Sequence, residues 1–434
     1  MKLSKMHRAV TATAVAAVAA LALTACGSSG PSGSGGDTAG ATAWALTGQQ
    51  QTYQDSFDSW NKANPSESVT VSFFANDAYK TKIRTAIGSG QGPTMIYGWG
   101  GGVLKSYVDA KSVAPLDASL TSQYFPAIAA NGQVDGKTYA VPNNSVQPVV
   151  LYFNKDLLSQ AGIANPPATW DELLADVATL KAAGIAPLSM GGQSKWPQLM
   201  WLEYLTDRIG GPQVFQAIQD NKPNAWSDPA VIQANTMIQE LVNAGGFADG
   251  FSSIATDSNA DLALLFTGRA AMILQGSWAY ANFKTSAADF LSAGKLGWTS
   301  FPTVEGGAGE PTAVVGNPSN FWSIGSYASD AQQKSANAYL AGGNMNDAFI
   351  DGLIAGGGVP PVKGLEAKIK ASSDPDFLSF VYDMSRDAPS FQLSWDQALD
   401  PGQADALLTN LDQIFLGQIT PQQFSDAMNA TIAP

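Results

Sequence analysis

Histidine and cysteine are almost absent from this chain. Its 434 residues include one histidine and one cysteine, and His7 and Cys26 both lie within the first 26 positions. The remainder therefore cannot build a Ser-His-Asp or Cys-His catalytic site, a histidine-bearing zinc site, a CxxC redox motif or a disulfide framework. Oxygen ligands alone are left, and no Asp-rich loop has the EF-hand spacing. We expect ligand binding to require no metal or cofactor.

Positive charge is also scarce. Three of the 23 Lys and Arg residues precede Cys26, so the rest of the chain carries 20 of them against 36 Asp and Glu. Nucleic acids and anionic lipids are recognised through basic surfaces, which argues against both as the ligand. Charged residues make up only 14% of the chain, below the ~25% typical of globular proteins. This composition suits an extracytoplasmic protein that meets a neutral ligand.

Long apolar runs are missing, apart from a short one near the start. Residues 9–23 follow a basic N-terminus and form an apolar stretch of about 15 residues, too short for the ~20 that span a bilayer. The stretch leads into LTACG at residues 23–27, which resembles a bacterial lipoprotein lipobox. We predict a signal peptide at residues 1–25, lipidation of Cys26 with palmitate, and a flexible Gly/Ser-rich tether at residues 26–41. An ordinary cleavage site with an incidental cysteine is the alternative.

Strand and helix patterns alternate along the body of the chain. This alternation predicts parallel α/β layers. Apolar runs typical of strands occupy residues 42–46, 69–74, 94–97 and 149–153, and amphipathic helical patterns occupy residues 49–62 and 78–89.

Two helix starts carry a capping signal. Thr169 and Glu172 have the spacing of a capping box. Thr420 and Gln423 repeat it, with Pro421 in the first helical turn. Helices are therefore expected to begin just after Thr169 and Thr420.

Several short runs together resemble the signature of family 1 extracellular solute-binding proteins, the maltose-binding-protein-like receptors of ABC sugar importers. The resemblance extends over the chain from about Thr42. It implies an α/β fold of two lobes joined by crossing strands, with a hinged ligand cleft and no catalytic activity. The runs are GKTYAVP at residues 136–142, VLYFNKDLL at 150–158, PPATWDEL at 166–173, GSW at 276–278, GGGVPP at 356–361 and SWD at 394–396.

This family architecture predicts how the chain divides. Lobe 1 is expected to contain residues 42–144 and 300–327. Lobe 2 is expected to contain residues 145–299 and 328–434. The strands that cross between the lobes are placed near residues 143–147, 298–303 and 326–330.

The resemblance also implies the ligand contacts. A sugar ring has an apolar C–H face and a rim of hydroxyls, so aromatic rings and polar side chains bind it together. Four tryptophans match the family's stacking positions: Trp99, Trp196, Trp278 and Trp395. Polar contacts are expected from Gln49, Asn76, Asn143, Asn144, Gln193, Asn317 and Asp396.

Trp395 and Asp396 are predicted to act as a pair on one side of the cleft. Leu393 and Leu399 have a spacing that allows both to pack inward while Trp395 faces elsewhere. Asp396 adjoins the ring and would accept hydrogen bonds from sugar hydroxyls with charge-assisted strength. Core packing is the alternative for Trp395, and a solvated helix start is the alternative for Asp396.

These features predict the membrane-anchored, extracellular binding component of an ABC importer. We expect a monomer that captures a neutral di- or oligosaccharide and delivers it to the permease. FQLSWD at residues 391–396 most resembles the xylobiose and xylo-oligosaccharide receptors among actinobacterial lipoproteins. Three alternatives stay open: a secreted glycosidase, which needs two carboxylates ~5–9.5 Å apart, a surface adhesin, and a receptor for another solute such as an aminosugar, a polyol or a phosphodiester.

Overall fold

The computed structural model describes residues 40–432. The predicted signal peptide, the lipidation site at Cys26 and nearly all of the predicted tether lie outside these residues. Within the described part of the chain, no helix combines the length and the apolar character needed to cross a membrane.

Strands and helices alternate through the described residues, as the sequence pattern predicts. The strands in chain order are β1 Ala41–Leu46, β2 Val69–Phe74, β3 Met95–Gly98, β4 Gln133–Val134, β5 Lys137–Thr138, β6 Val141–Pro142, β7 Gln147–Asn154, β8 Ala186–Ser189, β9 Ala270–Gly276, β10 Leu296–Thr299, β11 Val314–Asn317, β12 Phe321–Ile324 and β13 Phe391–Leu393. The α-helices are α1 Gln50–Ala63, α2 Asn76–Gly88, α3 Gly101–Asp109, α4 Pro126–Ala129, α5 Lys155–Gln160, α6 Trp170–Ala182, α7 Trp196–Gly210, α8 Pro212–Gln219, α9 Pro229–Asn243, α10 Ala260–Phe266, α11 Ala279–Ser286, α12 Ala288–Ser292, α13 Asp330–Gly342, α14 Asp347–Ala355, α15 Glu366–Lys370, α16 Pro375–Asp387, α17 Trp395–Ala398, α18 Pro401–Phe415 and α19 Pro421–Asn429.

Lobe 1 is built on a five-stranded sheet in the order β2-β1-β3-β12-β6. Strand β1 runs parallel to β2 and β3, while β12 runs antiparallel to β3 and β6. Ala41, Ala43 and Ala45 alternate into the core from one face of β1. The strands predicted from the first three apolar runs are thus confirmed to within one residue at each end.

Lobe 2 is built on a second sheet in the order β13-β11-β7-β9-β8, with β10 also paired to β7. All residues of β7 are buried, as expected for the continuous apolar run at residues 149–153. The expectation of parallel layers is wrong for this strand, because β7 is antiparallel to β9, β10 and β11. The reason is its direction: β7 starts at the boundary between the lobes, whereas β9 and β11 end there.

The chain crosses between the two sheets at residues 143–146, between β6 and β7, which lies within the first predicted crossing. It returns at residues 318–320, between β11 and β12. The other two predicted crossings are wrong. Near residues 298–303 the chain stays in lobe 2, where the Thr303 N–H donates to the Ala168 carbonyl over 2.9 Å, and near residues 326–330 it stays in lobe 1.

The predicted lobe boundaries need a matching correction. Strand β11 belongs to the second sheet, so residues up to 317 of the 300–327 segment lie in lobe 2. Helices α13 and α14 were expected in lobe 2 but pack on β1 and α1 of lobe 1. The physical reason is aromatic packing: the Tyr339 ring of α13 stacks on Phe57 of α1, with centroids 4.5 Å apart. The chain then returns through α16, which packs on β7, to β13 in the second sheet.

Both predicted capping boxes are confirmed. The Thr169 hydroxyl accepts a hydrogen bond from the Glu172 N–H over 3.2 Å, and the Glu172 carboxylate accepts from the Thr169 N–H. Thr420 and Gln423 form the same reciprocal pair. Each box satisfies two otherwise unpaired N–H groups at the start of its helix.

Candidate functional site

A cavity of about 810 Å³ lies between the two lobes. Lobe 1 lines it with residues 46–53 and with the start of α2. Lobe 2 lines it with the start of α7, the loop at residues 256–259 and the first turns of α11. Several of these segments follow strand ends, and the carboxyl ends of strands in α/β sheets are where ligands bind. The cleft expected from the sequence is therefore present.

The floor of the cavity is a network of side-chain amides on the two crossing segments. The Asn320 Oδ1 atom accepts hydrogen bonds from Asn144 Nδ2 at 3.1 Å and from Gln147 Nε2 at 2.9 Å. Asn144 Nδ2 also donates to the Tyr97 hydroxyl over 3.0 Å. Burial raises the pKa of Tyr97, which keeps the phenol neutral. The two crossings are thus tied together by uncharged polar groups.

Two indole rings form one wall. The rings of Trp196 and Trp278 are both half-buried, with centroids 5.9 Å apart and planes inclined by 55°. The Trp278 ring lies directly over Gly276 at the end of β9, where an added Cβ would come within 1.9 Å of the ring. Glycine at this strand end is what leaves room for the indole. The two rings present an angled aromatic surface to the cavity.

Trp99 lines the cavity from lobe 1, but its ring is mostly enclosed. Only 7% of Trp99 is exposed, and its ring packs against Tyr79 and Tyr97. The ammonium of Lys80 lies 5.1 Å from the ring centroid, within cation–π distance. Trp99 therefore offers less contact area than the two indoles of lobe 2.

Two buried acceptor atoms at the cavity have no hydrogen-bond partner in the described part of the protein. They are Gln49 Oε1 and Asn317 Oδ1. Asn317 is only 9% exposed. A buried acceptor without a donor costs roughly 1–3 kcal/mol. A ligand that brings hydroxyl donors would recover that free energy.

The cations that line the cavity are paired with carboxylates. Lys80 Nζ lies 3.0 Å from Asp396 Oδ2, and Asp396 is 9% exposed. Gln397 Nε2 donates to the same carboxylate oxygen over 2.7 Å. Lys284 forms an ion pair with Asp374, which also accepts from the Tyr280 hydroxyl over 2.7 Å. This pairing leaves the walls nearly neutral.

Most of the residues predicted to contact the ligand line this cavity. Their positions agree with the prediction, while the binding of a ligand by these residues is a proposal. The predicted residues that line the cavity are Gln49, Asn76, Trp99, Asn144, Trp196, Trp278, Asn317 and Asp396.

The predicted role of Trp395 is wrong. Its side chain is fully buried in the core of lobe 2, and its Nε1 donates to Gln392 Oε1 over 2.6 Å. Leu393 and Leu399 are buried as well. Trp395 begins the short helix α17, so the chain turns there and all three side chains point inward. Asp396 reaches the cleft without its supposed aromatic partner.

Asn143 and Gln193 also lie away from the cavity. Asn143 is fully buried, and its Oδ1 accepts a hydrogen bond from the Tyr53 hydroxyl over 3.1 Å. Gln193 is exposed, and its N–H donates to the Ile254 carbonyl. Both predictions are corrected for these reasons: the Asn143 side chain is buried within lobe 1, and the exposed Gln193 is not among the residues that line the cavity.

Sequence reasoning missed several residues of the cavity. Lys80 lies one helical turn after Asn76, a spacing that places both on one face of α2. Gln147 and Asn320 flank the predicted polar residues on the crossing segments, so proximity in sequence was an available signal. Asp257 and Asn259 carried no such signal, because only the fold brings their loop to the cavity. The missed residues with polar side chains include Lys80, Tyr97, Gln147, Thr256, Asp257, Asn259, Asn282, Lys284, Asn320 and Gln397.

The relatives that match part of the chain include two proteins named as periplasmic binding proteins. A Mesorhizobium japonicum protein named "Probable sugar-binding periplasmic protein" is 27% identical over 236 residues, which cover 51% of this chain and 54% of that protein. The sn-glycerol-3-phosphate-binding periplasmic protein of Rhizobium meliloti is 32% identical over 151 residues, which cover 34% of this chain and 31% of that protein. The chain spans between a half and three fifths of the length of the first curated relatives that it matches.

A solved structure matches nearly the whole fold. It comes from work on xylan utilization by Caldanaerobius polysaccharolyticus, is 28% identical, and superposes with a TM-score of 0.79 over 91% of this chain and 100% of that chain. The family model described as bacterial extracellular solute-binding protein matches residues 38–341. The two-lobe fold inferred from the sequence is thereby confirmed. The chain belongs to the family of bacterial extracellular solute-binding proteins, whose members bind substrates and are not enzymes.

Proposed function

We propose that this protein is the extracellular, lipid-anchored receptor of an ABC importer for neutral di- and oligosaccharides. Xylobiose and xylo-oligosaccharides are the first candidates among these sugars. The observation that carries the proposal is the aromatic pair Trp196 and Trp278, which faces the same cavity as the amide floor formed by Asn144, Gln147 and Asn320. The receptor would bind the sugar between its lobes and deliver it to the permease.

The chemistry of a pyranose matches this arrangement. The apolar face of the ring stacks on an indole, and an aromatic contact of this kind contributes about 0.5–1.5 kcal/mol beyond area burial. The hydroxyl rim both donates and accepts hydrogen bonds, as side-chain amides do. The unpaired acceptors of Gln49 and Asn317 require donors, which hydroxyls supply. Two indoles at an angle suit two successive rings of an oligosaccharide.

The charges of the cavity favour a neutral solute over a phosphorylated one. A phosphate needs cationic donors, and Arg or Lys usually supplies them. Lys80 and Lys284 both line the cavity, but each is already paired with a carboxylate. The relative that is named for glycerol phosphate matches only about a third of this chain. The xylan-related structure, which matches nine tenths of it, supports xylo-oligosaccharides instead.

The test is a thermal-shift panel on the Cys26→Ser chain with xylobiose, cellobiose, chitobiose, maltose and sn-glycerol 3-phosphate. A ligand at 100 times its Kd should add ~2.7 kcal/mol to the free energy of unfolding. We expect a shift with at least one disaccharide and none with glycerol phosphate. Absence of any shift with the sugars, or a shift with the phosphate alone, would contradict the proposal. Reducing-sugar release from xylo-oligosaccharides should stay at background.

The lipid anchor has a separate test. Cys26→Ser removes the only thiol of the chain, and with it the site to which acyl chains would attach. We expect the wild-type protein to fractionate with membranes and the Cys26→Ser protein to be released or to stay unprocessed. Replacing Ser28 by alanine in the tether is the matched control and should leave the membrane fraction unchanged. A Cys26→Ser protein that is cleaved normally and still fractionates with membranes like wild type would rule out the anchor.

A further inference from the structure

Helix α2 of lobe 1 faces three carboxylates of lobe 2. Asp77, Lys80 and Arg84 lie on one side of the helix, at a spacing of three and four residues. Their partners are Asp257 in the loop before α10, Asp396 on α17 and Asp405 on α18. Each of these contacts joins one lobe directly to the other.

The first contact caps the helix. Ala75 precedes α2 and has no side-chain acceptor for the unpaired N–H groups of the first turn. Asp257 supplies one from the other lobe: the Asp77 N–H donates to Asp257 Oδ2 at 3.0 Å and to Oδ1 at 3.2 Å. A carboxylate at a helix N-terminus also interacts favourably with the helix dipole. Partial burial and the Asp77 carboxylate raise the pKa of Asp257, while the N–H groups of Asp77 and Ala78 lower it.

Asp77 also makes an interlobe contact with the aromatic wall. The carboxylate of Asp77 accepts a hydrogen bond from Trp196 Nε1 through Oδ1 over 3.2 Å. Asn76 Nδ2 donates to the same oxygen over 3.0 Å. Trp196 belongs to lobe 2, so the orientation of this indole is fixed by a side chain from lobe 1. The hydrogen bond exists only while the lobes are together.

The second carboxylate contact is the ion pair of Lys80 with Asp396. The two side chains are 27% and 8% exposed, so the pair is partly shielded from solvent. The pair of Arg84 with Asp405 is more exposed, at 58% and 60%, and exposed pairs contribute little. The contacts of Asp77 and Lys80 are therefore the ones expected to matter.

We propose that the first turns of α2 form an interlobe clasp, in which Asp257 and Asp396 hold the closed state and Asp77 orients Trp196 for stacking. The clasp consists only of protein groups, so it stabilises the closed state relative to the open one whether or not a ligand is bound. A ligand then shifts a population that already exists. The role of Asp77 as a positioning residue rests on the proposed sugar binding; the role of Asp257 and Asp396 in closure does not.

The closure part is tested without a ligand. In the Cys26→Ser chain, spin labels are attached at Ser59→Cys on α1 and Gln233→Cys on α9, two exposed positions on different lobes. We expect Asp257→Ala and Lys80→Met each to shift the interlobe distance distribution towards longer values. Lys105→Met, which removes an ion pair within α3 of lobe 1 alone, is the matched control and should cause no shift. An unchanged distribution in both Asp257→Ala and Lys80→Met would overturn the clasp.

The positioning part is tested by a double-mutant cycle. The affinity for xylobiose, or for whichever sugar of the panel binds, is measured by calorimetry in the parent, Asp77→Ala, Trp196→Phe and double-variant chains. Phenylalanine keeps an aromatic ring but lacks the indole N–H. Asp77→Ala should weaken binding about tenfold in the parent and less than twofold in the Trp196→Phe background. Asp77→Asn keeps an acceptor oxygen and should restore most of the affinity.

The outcomes separate the two proposals. Equal weakening by Asp77→Ala in both backgrounds would show that Asp77 does not act through Trp196. If the parent chain binds no sugar of the panel, the proposed function fails, and the spin-label distances still decide whether the clasp holds the lobes closed.

Discussion

The indole of Trp395 stacks face to face on the phenyl ring of Phe215, with ring centroids 4.4 Å apart and planes within 3° of parallel. Trp226 meets the same indole edge-on at 5.8 Å. These contacts lie in the core of lobe 2 and not in the cleft wall that Trp196 and Trp278 form. These tryptophans thus divide into core residues and cavity-lining residues, which local sequence does not distinguish.

Replacement of Trp395 should therefore affect the fold before it affects binding. Trp395→Ala empties a fully buried site, and truncations of this kind typically lower the free energy of unfolding by ~3–5 kcal/mol. Urea unfolding of the ligand-free chain measures this loss. Trp278→Ala is the comparison: the free energy of unfolding should change less, while binding weakens by ~2–4 kcal/mol. A Trp395→Ala chain as stable as wild type would contradict the core assignment.

Gly276 should control the position of the Trp278 ring. An alanine Cβ at this position would overlap the indole, so Gly276→Ala should displace the ring and weaken sugar binding about tenfold, which is ~1.4 kcal/mol. Calorimetric titration gives the affinity. Gly98→Ala is the matched control, because Gly98 also ends a strand just before a cleft tryptophan but has no atom within 4 Å of an added Cβ. Equal affinities in the two variants would show that the close contact is not limiting.

Glu203 should make stability depend on pH. It is buried on α7, its Oε1 accepts from the Trp395 N–H over 2.6 Å and from the Ser394 hydroxyl over 2.9 Å, and its Oε2 has no partner among the described residues. Burial raises the pKa of Glu203 from 4.5 to about 8, although the hydrogen bonds from Trp395 and Ser394 oppose the shift. Between these two values the folded state holds a proton that the unfolded state has lost.

It follows that the Glu203 contribution to the free energy of unfolding is largest below pH 4.5 and falls as the pH rises towards 8. Glu203→Gln keeps an acceptor for the Trp395 N–H and does not titrate. Urea titrations between pH 5 and pH 8 should show a shallower decline for Glu203→Gln than for wild type, with the variant the more stable at pH 8. Parallel curves would show that Glu203 is not the responsible group.

Asn317 is expected to contribute to sugar affinity but not to the stability of the ligand-free protein. Its buried Oδ1 has no donor in the described structure, so Asn317→Ala should leave the free energy of unfolding unchanged or raise it. The same change should weaken sugar affinity about tenfold, because one hydrogen-bond acceptor is lost (~1.4 kcal/mol). Asn143→Ala is the control: it empties a fully buried side-chain site and removes one of the two acceptors of the Tyr53 hydroxyl, so it should lower stability instead. Melting curves with and without sugar separate the two effects.

Local sequence signals predicted much of the fold. Apolar runs located β1, β2, β3 and β7, because strands of a sheet that is covered by helices are rich in apolar side chains. The helix starts at Trp170 and Pro421 were predicted because a capping box is formed by residues close together in the chain. These features need no knowledge of the rest of the molecule.

The errors concern contacts between distant parts of the chain. Helix α13 packs in lobe 1 because the ring of Tyr339 stacks on Phe57. The two residues are far apart in the sequence, and no local pattern predicts that they are in contact. Trp395 is enclosed because Phe215 and Trp226 surround it, although its immediate neighbours Ser394 and Asp396 are polar. Asp257 reaches α2 only when two lobes meet. Residues of this kind were missed or misplaced for one physical reason: tertiary packing decides their environment.

The position of β12 has a consequence for biogenesis. In the first sheet β12 lies between β3 and β6, so β6 has no partner in that sheet until β12 is in place. β12 begins only at Phe321, so a chain that emerges N-terminus first holds its first lobe incomplete while the strands of the second, apart from β13, are already available. Pairings of such long sequence separation form slowly, and the open edge of β3 is exposed to mispairing meanwhile. Folding of the first lobe is therefore expected to depend on residues 321–324, which follow five of the six strands of the second lobe in the chain.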